Sequence, residues 1–164
     1  MHGKLMARLF ALCCALFTVF TSTAPFVFGE VEKGDIGIGV NYPGVSVKYF
    51  TSDKLALELK GQAEKNIVIG GLRGYYYFST GKKFLPFAGL EADFISFKGL
   101  DSKGTGFAAE LFVGGEYFFG KKLSLQMDMG PAFVSLADKK THISGRGLEY
   151  VVNFAINWYF GKKH

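Results

Sequence analysis

The segment 148-LEYVVNFAINWYF-160 puts Leu148, Tyr150, Val152, Phe154, Ile156, Trp158 and Phe160 at alternate positions, with Glu149, Asn153 and Asn157 among the residues between them. That period of two belongs to a β-strand with two unlike faces; a helix would repeat about every 3.6 residues. Segments upstream read the same way. In 107-FAAELFVGGEYFF-119 the apolar set is Phe107, Ala109, Leu111, Val113, Gly115, Tyr117 and Phe119. In 123-LSLQMDMGPAFVSL-136 it is Leu123, Leu125, Met127, Met129, Pro131 and Phe133. None of these positions is charged.

Working back, strands are expected over 34–42, 45–50, 55–64, 67–78, 84–97, 107–119, 123–136 and 148–160. Turn residues punctuate them: Pro43-Gly44, 51-TSDK-54, Lys65-Asn66, Gly81-Lys82-Lys83 and Gly120-Lys121-Lys122, with polar loops at 98–106 and 137–147. The expected architecture is all-β, an eight-stranded antiparallel up-and-down barrel closed between its first and last strands. Gly34, Gly37 and Gly39 lie on a strand with no helix after it, so they suggest close packing around the lumen or a bend in the strand, not a dinucleotide fingerprint.

Residues 1–29 stand apart. Lys4 and Arg8 precede the apolar run Leu9–Val19 and a stretch of mostly small or neutral residues, the anatomy of a secretory signal peptide. We expect 1–29 to be that signal, cut after Ala24 or Gly29, and 30–164 to be the barrel domain. Cys13 and Cys14 are the only cysteines and lie inside the signal. The mature chain then has no thiol, and His142 and His164 alone do not make a metal centre. No metal and no cofactor are expected. The formal charge of +5 falls to +3 when Lys4 and Arg8 leave, too mild and scattered for a nucleic-acid partner.

Alternation alone does not say which face points inward. A soluble lipocalin-like ligand-binding barrel would hold its apolar face inside. Eight strands, however, enclose little more than their own side chains, and the Phe, Tyr, Leu and Met groups here would overfill that space. Most lysines sit in turns instead of on the opposite face. From the third onward, the strands reach the length a tilted strand needs to cross a bilayer. The apolar face is therefore expected against lipid, and the charged face in the lumen.

The segments 75-YYYFSTGKKF-84, 117-YFFGKKL-123 and 158-WYFGKKH-164 repeat aromatics, a turn and lysines, with Phe78, Phe119 and Phe160 each 41 residues apart. A weaker copy is 49-YFTSDKL-55. In an up-and-down order all four copies fall on one rim. Tyr49, Tyr76, Phe78, Tyr117, Phe119, Trp158 and Phe160 would form an aromatic girdle at the headgroup boundary, the periplasmic one, with turn lysines meeting lipid phosphates.

On these residues the chain resembles the small eight-stranded outer-membrane β-barrels, the group of OmpX-like proteins and the OmpA membrane domain. The resemblance implies a bacterial outer-membrane location, with phospholipid and lipopolysaccharide as surroundings and the outer-membrane assembly machinery as a partner. It implies a structural or surface-interaction role, not an open porin. The chain departs from the pattern at its end, where Phe160 is followed by Gly161-Lys162-Lys163-His164.

Two candidate sites follow. The inward face would carry Lys48, Glu58, Lys60, Arg73, Glu91, Asp93, Glu110, Glu116 and Asp128 as an ion-pair network, with Arg73 as hub for Glu58, Glu91, Asp93 and Glu110. The second is His142, Ser144 and Glu149 in 142-HISGRGLE-149, similar to the His-x-Ser motif of outer-membrane lipid A deacylases. That family has Asn after the serine, where Gly145 stands here, and a Glu farther downstream. Non-enzymatic behaviour is expected, with the esterase as the alternative.

Overall fold

The structure is a computed structural model that describes residues 31–41, 43–99, 103–138 and 144–161. The expected signal peptide and His142 lie outside the described residues. Eight strands follow in chain order: β1 Ile36–Asn41, β2 Gly44–Ser52, β3 Leu55–Glu64, β4 Ile67–Tyr77, β5 Phe84–Lys98, β6 Lys103–Phe118, β7 Leu123–Asp138 and β8 Ser144–Phe160. Each pairs antiparallel with the next, and β1 pairs with β8 to close the ring. The expected fold class and closure are found.

Strand ends differ from the expectation at the far rim. β6 begins at Lys103 and β8 at Ser144, several residues earlier than expected, and β7 runs on to Asp138. These extensions are polar and glycine-rich and lie beyond the apolar band, so alternation does not mark them; cross-strand pairing such as Gly104↔Asp138 and Ser144↔Ala137 holds them. Gly44 is the first residue of β2, not part of the turn.

At the near rim the turns are tight. Gly34 (φ 96°) and Gly81 (φ 70°) take positive φ, where a side chain would be strained. Ser52 Oγ accepts from the amides of Lys54 and Leu55 at 3.4 and 3.1 Å, closing the β2–β3 turn. A register shift between Phe50 and Ser52 makes a bulge there.

The apolar face points outward. Ile38, Leu59, Leu90, Leu111, Val113, Phe154 and their alternating neighbours are exposed along the outer wall. Inside, Phe50, Tyr75, Tyr77, Leu85, Phe87, Phe112, Phe118 and Tyr159 are buried with Val31 of the entering chain, filling the near end of the lumen. Two glycines make room for these rings. A Cβ on Gly37 would lie 2.6 Å from Tyr159 Cε1, and one on Gly89 would overlap the Phe112 ring. Gly37 thus packs close to the lumen filling, as its place in the sequence suggests.

Candidate functional site

The cross-strand register lines up the lumen charges. Starting at Gly37, the paired residues are Lys48, Glu58, Arg73, Glu91, Glu110, Ala132 and Glu149. The ladder alternates plus, minus, plus, minus, and then sets Glu91 beside Glu110. Opposite charges across a ladder attract, whereas a like pair repels and needs outside help. Lys60 supplies it by pairing with Glu91 and lying 3.7 Å from Asp93.

Arg73 bridges two carboxylates. Its Nη2 donates to Asp128 Oδ1 at 2.7 Å, and its Nε lies 2.8 Å from Glu91 Oε2, a charge contact without hydrogen-bond alignment. The guanidinium stacks over Phe112 at 4.2 Å and Tyr75 at 5.3 Å. Of the four partners expected for Arg73, only Glu91 forms an ion pair with it, and Asp128 is the partner the sequence did not indicate. Glu58 pairs with Lys48 at 3.7 Å and accepts from Tyr75 Oη at 2.5 Å. Asp93 goes to Lys60, and Glu110 accepts from Asn153 at 3.5 Å.

Glu116 is a second centre. Oε1 accepts from Tyr159 Oη at 2.5 Å, Asn157 Nδ2 at 2.9 Å and Ser124 Oγ, while Oε2 accepts from Tyr77 Oη at 2.7 Å and Lys48 at 3.5 Å. A buried carboxylate needs this density of donors to offset its lost hydration. Gln126 joins the two centres. It accepts from Lys48 at 2.5 Å and donates to Tyr75 Oη at 3.1 Å and Asp128 at 3.0 Å. Tyr77→Phe removes the hydroxyl that donates to Glu116 and accepts from Lys48 at 3.3 Å, and leaves the ring packing intact. It is expected to cost about 1.5 kcal/mol of stability, read from the shift of the urea unfolding midpoint.

The buried tyrosines are what the sequence reading missed. Their signal is the aromatic run itself: with a period of two, adjacent aromatics must fall on both faces. Tyr76 and Phe78 are outward while Tyr75 and Tyr77 are inward; Phe118 and Tyr159 alternate likewise with Tyr117, Phe119, Trp158 and Phe160. Among the girdle residues, Tyr49, Tyr76, Phe78, Phe119, Trp158 and Phe160 are exposed on the outer wall, and Tyr117 is half-buried under Lys83, whose Nζ is 5.1 Å from its ring.

Ser144 and Glu149 both lie on β8, five positions apart, exposed at the far rim. Ser144 shares the face of Tyr150 and Val152, whereas Glu149 pairs with buried Ala132 on the lumen side. Five residues of strand span about 17 Å. The two are therefore not brought together.

No family model and no curated protein matches this sequence. Among solved structures, the N-terminal β-barrel domain of Pseudomonas aeruginosa OprF is similar, with a TM-score of 0.52 at 15% identity, covering 77% of this chain and 94% of that one. The two share the fold of a closed antiparallel β-barrel. At this identity the likeness concerns backbone architecture, and the charged lumen is read from this chain's own residues.

Proposed function

We propose that this protein is a small integral outer-membrane β-barrel with a structural or surface-interaction role, neither an enzyme nor an open porin. The observation that carries the reading is the inverted distribution of its side chains: apolar residues cover the outer wall and charges fill the lumen. An apolar surface encircling the whole ring far exceeds what a water-soluble monomer exposes, which argues against the soluble ligand-binding barrel. The aromatic rim followed by turn lysines suits the boundary with phospholipid headgroups on the periplasmic side, with lipopolysaccharide at the opposite leaflet. The signal-like leader supports export, and the outer-membrane assembly machinery would insert the chain.

Two features support the negative parts. The buried rings of Phe50, Tyr77, Phe87, Phe118 and Tyr159 obstruct the near end of the lumen, against a porin. The opposite-face positions of Ser144 and Glu149 speak against a serine–acid arrangement, so no fatty acid should be released from lipid A; release that vanishes in Ser144→Ala would favour the esterase. The loops are short, which leaves the OmpX-like comparison as one of size and shape.

Trp158 is the single tryptophan and sits in the aromatic rim. In vesicles of brominated phospholipid, its fluorescence should be quenched more by bromines near the headgroup than by bromines at the chain end. Strongest quenching at the chain end, or none at any depth, would refute the proposed placement.

A further inference from the structure

Strand lengths and register leave the wall low on one side. The ladder begun at Gly37 reaches β8 at Glu149, yet Gly37 itself pairs with Tyr159, a stagger of ten residues around eight strands. That stagger tilts the strands by roughly 40° and gives an axial rise of about 2.5 Å per residue. With six residues, β1 climbs only about 15 Å, whereas β8, with 17, climbs about 40 Å. The apolar layer that such a ring spans is about 25 Å tall, so the tip of the β1–β2 hairpin stops inside it.

The gap has defined edges. β1 pairs with β8 only from Ile36↔Phe160 to Val40↔Ile156, and among the described residues nothing pairs with that edge of β8 from Ser144 to Ala155. An open groove of about 870 Å³ lies at the hairpin tip. Val40, Val45 and Val68 line it outside, and Gln62, Glu64 and Ile69 inside. Its lining thus takes residues from both faces of the wall.

Behind the low wall most of the unmet polar atoms are acceptors. Corrected for the stagger, Asn41, Lys60, Glu91, Asp93, Glu110 and Asn153 stand within about 5 Å of the height of the hairpin tip. Asn41 Oδ1, Asp93 Oδ1 and Glu110 Oε1 have no hydrogen-bond partner among the described residues, although Asn41 and Glu110 are each only 6% exposed. All three atoms are acceptors. Around them Lys48, Lys60 and Arg73 face six carboxylates, Glu58, Glu91, Asp93, Glu110, Glu116 and Asp128. Carboxylates outnumber cations here, and unmet acceptors outnumber the unmet donors, Arg73 Nε–H and the Ser46 hydroxyl.

We propose that the low wall is a side entrance for a long-chain amphiphile with an amine head, whose ammonium enters the acceptor-lined lumen while its alkyl chain lies over Val40, Val45 and Val68. The inference rests on reading the ring as a membrane barrel. A carboxylate or phosphate head would meet like charge. A second copy in the same membrane orientation would cross its β8 edge over this one at roughly 80°, too steep for a ladder.

The test uses the full barrel folded in a nonionic detergent and titrated with dodecylamine or laurate, with bound ligand read by native mass spectrometry. One saturable dodecylamine per barrel is expected, and no laurate. Two variants should each weaken amine binding at least tenfold: the double variant D93N/E110Q, and a barrel whose β1–β2 hairpin is lengthened by four alternating residues per arm to raise the wall. Should D93N/E110Q fail to fold, judged by circular dichroism, the lengthened hairpin decides alone. No amine binding, equal binding of laurate, or amine binding unchanged in the folded variants overturns the proposal. Because binding is read in detergent and bilayer placement by Trp158 quenching, failure of either leaves the other result standing.

Discussion

Leu111→Arg should lower the free energy of folding into phospholipid vesicles by about 2–4 kcal/mol. Leu111 is on the outer wall, 60% exposed, in the middle of β6 and therefore near mid-depth in the apolar layer. A guanidinium there would have to leave water or drag water into the hydrocarbon. Depth sets the size of the effect, so Thr51→Arg, at the near rim on the same outer face, should cost no more than about 1 kcal/mol. If the ring were instead a soluble barrel, Leu111→Arg would be a surface change within about 0.5 kcal/mol. Equal small effects at both positions, measured by urea titration of the vesicle-bound barrel, would sink the membrane assignment.

The fold was legible because alternation persists through the apolar part of every strand. Leu148 to Phe160 shows it most clearly, and β8 indeed carries those residues outward. It fades at 103–106 and 144–147, where glycine and polar residues lie outside the apolar band and only pairing with neighbouring strands keeps the chain extended. A single strand's sequence carries no record of such pairing. The low wall was also visible in principle. Only about eight residues separate Gly34 from the Pro43 turn, too few to match the strands that follow.

The lumen was legible in membership and not in partnership. Lys48, Glu58, Arg73, Glu91, Glu110, Glu116 and Asp128 all lie buried inside, as parity suggests. Who pairs with whom depends on the stagger. Asp128 sits three strands from Arg73 and reaches it across the lumen, and no spacing in the sequence encodes that approach. Tyr75, Tyr77 and Tyr159 escaped notice for another reason: an aromatic run read as one girdle hides the members that face the other way. One short motif builds both the outer aromatic rim and the inner filling, because a period of two divides it between the faces.

Arg73→Met is expected to destabilise the barrel by about 3–5 kcal/mol. Arg73 is 2% exposed and holds Glu91 and Asp128 with one side chain. Methionine fills much of its volume against Phe112 and Tyr75, so packing loss is kept small. What remains is uncompensated charge. Asp128 would keep Gln126 and Asn153 as donors but no cation, and Glu91 would share Lys60 with Asp93 while facing Glu110. Lys98→Met, at the exposed end of β5, should stay within about 0.5 kcal/mol and sets the scale for removing a positive charge from the chain as a whole. Adding Asp128→Asn to Arg73→Met removes one stranded carboxylate and should restore a large part of the loss, since the penalty lies in the unpaired partner. Urea unfolding of the four proteins in one detergent gives all the comparisons. If Arg73→Met costs no more than Lys98→Met, the lumen is wet enough to screen its charges, and the ion-pair network is not what holds the ring together.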